Sequence, residues 1–289
     1  MNILAIDIGG TKIALGLVKQ DQLCERKQIP TITVTSAKQF ASYILEQCQT
    51  WLADVDRIGV STTGLVTEQG ISAINPDTLA FPAPFPLHHE LEALTQKPVA
   101  MLNDAQAAAW YEYLHLDEQD KNMAYLTVST GVGGGLIIDG KLHCGKNNFA
   151  GHIGHLVIDQ DGPVCGCGQR GCVEAVASGT AINKQAKQRI SSSITNIELF
   201  EQAKHNPTAE QVIQESAKAI ATLCCNLKAC LDLDVIVIGG GVGLAKGYME
   251  RVNHYINERP TPFQVKLVAA KGDHDACLLG AASLFEHSA

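Results

Sequence analysis

The stretch Gly151–Glu174, GHIGHLVIDQDGPVCGCGQRGCVE, packs two histidines and three cysteines into a short glycine-rich span. Cys165, Cys167 and Cys172 stand at C-x-C-x4-C spacing, with Gly166, Gly168 and Gly171 between them to let the backbone fold back and the sulfurs converge. His155 can supply a fourth ligand, and a closed set of three thiolates and one imidazole suits tetrahedral Zn2+ in a structural role, with no position left for water. Three buried thiols or a disulfide are the alternatives. His152 is not needed to complete the set and is free to face a substrate. The H-I-G-H run lacks the helical H-E-x-x-H spacing of zinc proteases.

Outward from that stretch, the chain is of ordinary globular type. Its 289 residues are 46% hydrophobic and 18% charged, enough for one large or two medium domains with ample core. A net charge of −8 argues against nucleic acid as the main partner, because phosphate-backbone binding needs a basic face. No apolar run approaches a membrane span, and the opening MNILAIDIGG has no basic n-region, so the expectation is a protein without membrane or signal segment. Ten cysteines without a secretion signal suit a reducing, cytoplasmic setting. The seven outside the zinc set read as buried small hydrophobes.

The N-terminal pattern is strand, turn, strand: NILAIDI (2–8), Gly9-Gly10-Thr11-Lys12, then IALGLV (13–18). A Gly-Gly-Thr turn can aim N–H groups and a hydroxyl at a phosphate, and the adjacent Asp7 can hold Mg2+ directly or through water. A plain hairpin uses the same residues. A third strand is expected over 24–29, a helix over 37–52, a strand from 57 running into the Ser/Thr/Gly loop, and a Pro-rich loop over 71–86. Residues 98–102 predict a strand, followed by Asn103-Asp104 and the helix AQAAAWYEYL. Both residues suit helix capping, yet a carboxylate at such a junction also sits where α/β folds bind ligands. Residues 115–122 read as the domain boundary. AYLTVSTGVGGGLIIDGKL (124–142) then repeats the opening pattern with Thr130 and Gly131 at its bend, suggesting a duplicated architecture. Helices are expected over 177–189, 195–204 and 209–231. Asp234–Ile238 predicts a strand entering GGGVG (239–243) and a helix over 244–257, a setting in which backbone approaches a nucleotide closely. A Rossmann fingerprint would need Gly where Leu244 stands, which weakens a nicotinamide dehydrogenase reading. A last strand over 263–270 and a helix over 275–286 close the chain.

The order of these features resembles the actin-like, two-domain α/β fold of hexokinase and Hsp70 type. The run C-G-C-G-x-x-G-C-x-E after G-x-x-G-H resembles the signature of the ROK family of bacterial sugar kinases and repressors, over nearly the whole chain. Further stretches that carry the likeness are LAIDIGGTK (4–12), LNDAQAAAW (102–110), TVSTGVGGG (127–135) and AGHIGH (150–155). The resemblance implies a smaller domain, 1–115 plus 275–289, and a larger one, 116–274, with ATP, Mg2+ and a sugar in the cleft between them and a structural Zn2+ on His155, Cys165, Cys167 and Cys172. It makes Asp104 the general base towards the sugar 6-hydroxyl, with Gly64, Asn75, Asn103, His152, His155 and Glu174 around the sugar. Nucleotide contacts fall on Ala5, Ile6, Asp7, Ile8, Gly9, Gly10, Thr11 and Lys12, on Thr130, Gly131, Val132, Gly133, Gly134 and Gly135, and on Gly239 and Gly240. Most family members carry Glu where this chain has His152. A neutral imidazole can both donate and accept, which favours an N-acetylated hexosamine with an inverted C2 substituent, as used in amino-sugar and sialic acid catabolism, over glucose or N-acetylglucosamine. A sugar-sensing repressor would need an N-terminal helix-turn-helix, for which the phosphate strand beginning at residue 2 leaves no room. Family likeness also implies a homodimer.

Overall fold

The structure, a computed structural model, describes residues 1–75, 81–118, 121–272 and 274–285. Parts of the expected Pro-rich loop (76–80), of the boundary segment (119–120) and of the C-terminus (286–289) lie outside the described residues. The chain divides into two compact units, Met1–His115 with Cys144–Phe149 and Gly272–Ala289, and Leu116–His143 with Ala150–Lys271.

The first unit is built on β1 (Asn2–Ile8), β2 (Lys12–Lys19), β3 (Gln22–Pro30), β4 (Arg57–Thr62) and, after the small β5 (Leu65–Thr67)–β6 (Gly70–Ser72) hairpin, β7 (Val99–Asn103). The sheet order is β3-β2-β1-β4-β7, antiparallel across β1–β3 and parallel across β1, β4 and β7. β1 is apolar from Ile3 to Ile6 because both faces are covered. Leu4, Ile6 and Ile8 join a core with Phe40 and Ile44 of α1 (Ala37–Gln47) and Leu91 of α2 (Leu87–Thr95). Ile3 and Ala5, of opposite parity, pack on Leu278 and Ala282 of the C-terminal helix Ala276–Ala282. Asp7 shares the parity of Ile3 and Ala5, so period 2 sends it towards the C-terminal helix.

The second unit repeats the plan. β8 (Met123–Val128), β9 (Val132–Ile138), β10 (Lys141–Leu142), β11 (Val235–Gly239) and β12 (Lys266–Ala269) form a sheet ordered β10-β9-β8-β11-β12, again antiparallel in its first three strands and parallel in the rest. The duplicated strand–turn–strand pattern is therefore present as two sheets of one topology. Its core packs these strands against α4 (Val173–Ala177), α5 (Gly179–Arg189), α6 (Asn196–Gln202), α7 (Pro207–Leu231) and α8 (Tyr248–Asn257). α7 starts as its sequence dictates: Asn206 caps Thr208 and Ala209 N–H, and Pro207 occupies the first turn, where no N–H is needed.

Several boundaries differ from the sequence expectation. α1 stops at Gln47, because Cys48 N–H turns back to Leu45 and the chain continues in turns through Asp54. α8 starts at Tyr248 and not at 244, since Gly247 at φ 80° resets the backbone. The C-terminal helix ends at Ala282 in a 3-10 turn, and α2 and the β5–β6 hairpin were not expected. Among the described residues no helix is long and apolar enough to cross a membrane.

Candidate active site

In the first unit strand register assembles the acidic groups. Asp7 stands opposite Ser61, and Thr62 opposite Asn103, so residues 7, 61, 63 and 104 gather at the carboxyl ends of the three parallel strands, where α/β sheets bind ligands. Ser61 Oγ donates to Asp7 Oδ1 at 2.7 Å. Burial, with the Asp104 and Asp275 carboxylates adding to it, pushes the Asp7 carboxyl up to about 6. Arg26 offsets part of this while its Nε donates to Asp275 at 2.8 Å.

Asp104 is the first residue of α3 (Asp104–Leu114). Its Oδ1 accepts from Ala105 N–H at 2.8 Å and its Oδ2 from Thr63 Oγ1 at 3.1 Å. Burial raises its pKa, and these hydrogen bonds oppose the rise. Asn103 does cap α3: its Oδ1 accepts from Ala105 and Gln106 N–H, and its Nδ2 donates to the Gly64 carbonyl at 3.0 Å. The Asn103 side chain also lowers the Asp104 pKa through a hydrogen bond, so its amide is already engaged at the start of the helix. Gly64 adopts φ 97°, a backbone that only glycine takes without strain. Asn75 is a half-buried bend residue.

The Gly9–Lys12 turn is tied at its base by Gly9 N–H to the Lys12 carbonyl and by Thr31 Oγ1 to the Gly9 carbonyl, while Gly10, Thr11 and Lys12 are exposed. Ala5 and Ile6 are wholly buried mid-strand and Ile8 is buried in the core, so the ligand-facing part of this segment is Asp7 and the turn.

In the second unit the β8–β9 turn exposes Ser129 and Thr130. Their carbonyls accept from Gly179 and Thr180 N–H, which fixes the turn on the start of α5. Val132 N–H is already taken by Glu174 Oε2 at 3.1 Å. Gly133, Gly134 and Gly135 pair with β8 inside the ladder, and a Cβ on Gly134 would sit 2.3 Å from Ile153. The turn, not this glycine run, is what can meet a phosphate; the run serves packing.

Glu174 joins that turn to the cysteine cluster, its Oε1 lying 3.8 Å from Cys165 Sγ. His155, Cys165, Cys167 and Cys172 offer ligand atoms within 4.8 Å of one another. Cys165 Sγ lies 3.7 Å from His155 Nδ1, and Cys167 Sγ lies 3.7 Å from Cys172 Sγ. A tetrahedron with zinc–sulfur bonds of about 2.3 Å has edges of about 3.8 Å, so the donor set fits zinc in spacing as well as in chemistry. Burial, with the neighbouring Cys167, pushes the Cys172 thiol up to about 12, so crowded thiols need a cation before they ionise together. His152, immediately before the 3-10 turn Ile153–His155, is depressed to about 4 by burial and then by His155, and is neutral at physiological pH. A second cluster, His88, His89 and Glu92 on α2, has its Nε2 atoms on the Val99 and Glu68 carbonyls.

The sequence reading missed most of one feature. A cavity of about 1090 Å3 in the second unit is lined by Thr130, Gly179, Asn183, Phe200, Gly241 and Lys246, among others. Gly239 ends β11 and Gly240 turns at φ 83°, bringing Gly241 to the cavity wall. Apart from Thr130 and Gly241, which lie in the glycine-rich turns, the lining residues share no motif.

Residues 3–288 match the ROK family. The chain is 66% identical over 290 residues to the N-acetylmannosamine kinase of Vibrio vulnificus strain CMCP6, covering 100% of this chain and 99% of that protein. Among solved structures it is similar to a ROK hexokinase from Thermus thermophilus, at TM-score 0.84 and 32% identity over 98% of this chain and 97% of the other. It is also similar to a ROK family glucokinase from Streptomyces griseus in complex with glucose and AMPPNP, at TM-score 0.79 and 28% identity over 98% and 99%.

Proposed function

The chain belongs to the ROK family, and from that premise we propose that it is an ATP-dependent kinase of the 6-hydroxyl of N-acetyl-D-mannosamine. The observation that carries the substrate is the 66% identity, end to end, with a protein named for that activity. His152 in place of the family's usual Glu supports the same reading, because a neutral, half-buried imidazole can donate one hydrogen bond where a carboxylate can only accept.

Asp104 is the general base that takes the proton from the 6-hydroxyl as that oxygen attacks the γ-phosphate. The carboxylate's buried position at the strand-to-helix junction supports this role. Asn103, Gly64, Asn75, His152, His155 and Glu174 hold the sugar. Asp7 and the Gly9–Lys12 turn of the first unit bind the β- and γ-phosphates, as do Thr130 and Gly131 of the second. The second unit's cavity, next to Gly239 and Gly240, takes the adenosine. Asp7, directly or through water, would hold Mg2+, which supplies charge neutralisation to the transferring phosphoryl group. His155, Cys165, Cys167 and Cys172 would hold one structural Zn2+, which keeps Glu174 and His152 in place. The protein works as a cytoplasmic homodimer, and its product, N-acetylmannosamine 6-phosphate, belongs to sialic acid catabolism.

A coupled ADP-release assay across N-acetylmannosamine, N-acetylglucosamine and glucose tests the reading. N-acetylmannosamine should give the largest kcat/KM, and Asp104→Asn should lose about 10²–10⁴-fold in turnover while still binding sugar. Faster turnover of glucose by the native protein would remove the substrate proposal, and near-native turnover by Asp104→Asn would put the base elsewhere.

A further inference from the structure

We propose that Thr63 is a positioning residue for the phosphoryl-transfer base, its hydroxyl fixing the plane of the Asp104 carboxylate. This rests on the reading of Asp104 as that base. The residues carrying it lie one step beyond the register that pairs Thr62 with Asn103. There the segment leaving β4 grips the start of α3 twice: Thr63 Oγ1 donates to Asp104 Oδ2 at 3.1 Å, and the Gly64 carbonyl accepts from Asn103 Nδ2 at 3.0 Å. The second oxygen, Oδ1, accepts from Ala105 N–H at 2.8 Å. A carboxylate offers about four lone-pair positions. With a donor on each oxygen, and the Asn103 side chain and the residue's own N–H adding to them, rotation about the Cβ–Cγ bond is restrained and the remaining lone-pair directions are oriented. A base held this way loses little alignment in the ground state, and misplacement by about 1 Å costs rate steeply.

The hydroxyl's contribution is separable from its bulk. Ala and Ser at this position differ only by the oxygen, and Val keeps the shape of Thr without a donor. Turnover by Thr63→Ala and Thr63→Val should fall about 10–100-fold with KM for N-acetylmannosamine and ATP within about threefold of native, and Thr63→Ser should recover kcat to within about threefold. The acid limb of the kcat profile should move up by about one unit in Ala and Val, since a donor to the ionised carboxylate has been lost, and return in Ser. The titratable groups that face Asp104 are Asp7 at the end of β1 and Cys277 on the C-terminal helix, with Asp275 and Arg26 facing Asp7 in turn. All are the same in every variant, so the movement reports the lost hydrogen bond. Melting curves accompany the kinetics; if Val folds poorly, the Ala–Ser pair still isolates the oxygen. Native kcat and pH profile in Thr63→Ala, loss confined to KM, or a Ser variant as slow as Ala would overturn the assignment. Asp104→Asn separates the two layers. If that variant turns over like the native protein, the base itself is misassigned; if it is inactive while Thr63→Ala is fast, only the positioning role falls.

Discussion

Replacing Asp7 by Asn should make the ligand-free protein more stable while disabling it. In the unfolded chain Asp7 loses its proton near 3.8, whereas burial beside Asp104 and Asp275 pushes it up to about 6 in the folded state. Below pH 3.8 both states hold the proton and the residue costs nothing. As pH rises the unfolded chain ionises first, and above about 6 the fold carries the whole cost. At 1.36 kcal/mol per unit this is roughly 3 kcal/mol, and the partial exposure of the side chain trims it to roughly 2. Asn removes the charge and keeps an oxygen for the Ser61 hydroxyl, now 2.7 Å from Oδ1. Thermal melts without added Mg2+ or nucleotide, and without a chelator that would strip other metals, should put Asp7→Asn about 2–5 °C above the native protein at pH 8, with the gap closing towards pH 4. Adding Mg2+ and nucleotide should stabilise the native protein alone and reverse the order. A variant that melts at or below native at pH 8, or a gap that ignores pH, would refute the reasoning.

Three other perturbations follow from the second unit. Cys172→Ser should lower bound zinc from one per chain, cost the zinc-linked part of the melting temperature, and raise KM for the sugar more than KM for ATP; metal analysis and steady-state kinetics check it, and an unaltered apoprotein would contradict it. Gly131→Ala should weaken both substrates, because its Cβ would lie 2.5 Å from Glu174 Oε2 and displace the carboxylate from Val132 N–H; unchanged KM values would mean Glu174 moves aside freely. With His152 depressed to about 4, KM for the sugar should be flat from about pH 6 to 9 and rise only in acid, so a midpoint near 6.5 would argue for a solvated imidazole at the sugar.

What could be read from the residues was whatever is local. The apolar run of β1, the capped start of α7 and the clustered cysteines each carry their own instruction, so strand, helix and the Cys/His cluster follow from short windows. The α2 start could not be read, since Pro86 offers no side-chain cap and the helix is short. The true start of α8 was hidden because the helical periodicity of 244–257 continues through Gly247, and only its φ of 80° breaks the helix there. The contact of Thr63 with Asp104 was equally hidden: S-T-T-G reads as a loop until the β1–β4–β7 register places residues 61 and 63 beside two aspartates. The cavity escaped for the same reason on a larger scale, its wall being drawn from residues as far apart as Thr130 and Lys246.

The cysteine loop is joined to the β8–β9 turn through Glu174. One carboxylate oxygen takes Val132 N–H at the foot of the β8–β9 turn, and the other stands 3.8 Å from Cys165 Sγ. The turn is in turn fixed on α5 by the Ser129 and Thr130 carbonyls. Gly154 and Ile153 also pack closely on Val132 and Gly134, so a shift in the loop reaches the exposed Ser129–Thr130 tip through Glu174 and through β9. Structural zinc sites contribute about 10–16 kcal/mol in small folds, comparable with the 5–15 kcal/mol that holds a whole domain. A loop holding zinc on His155, Cys165, Cys167 and Cys172 would be a rigid reference. Because Glu174 stands two residues after Cys172, in the first turn of α4, that rigidity would pass through it to Val132 N–H and the β8–β9 turn.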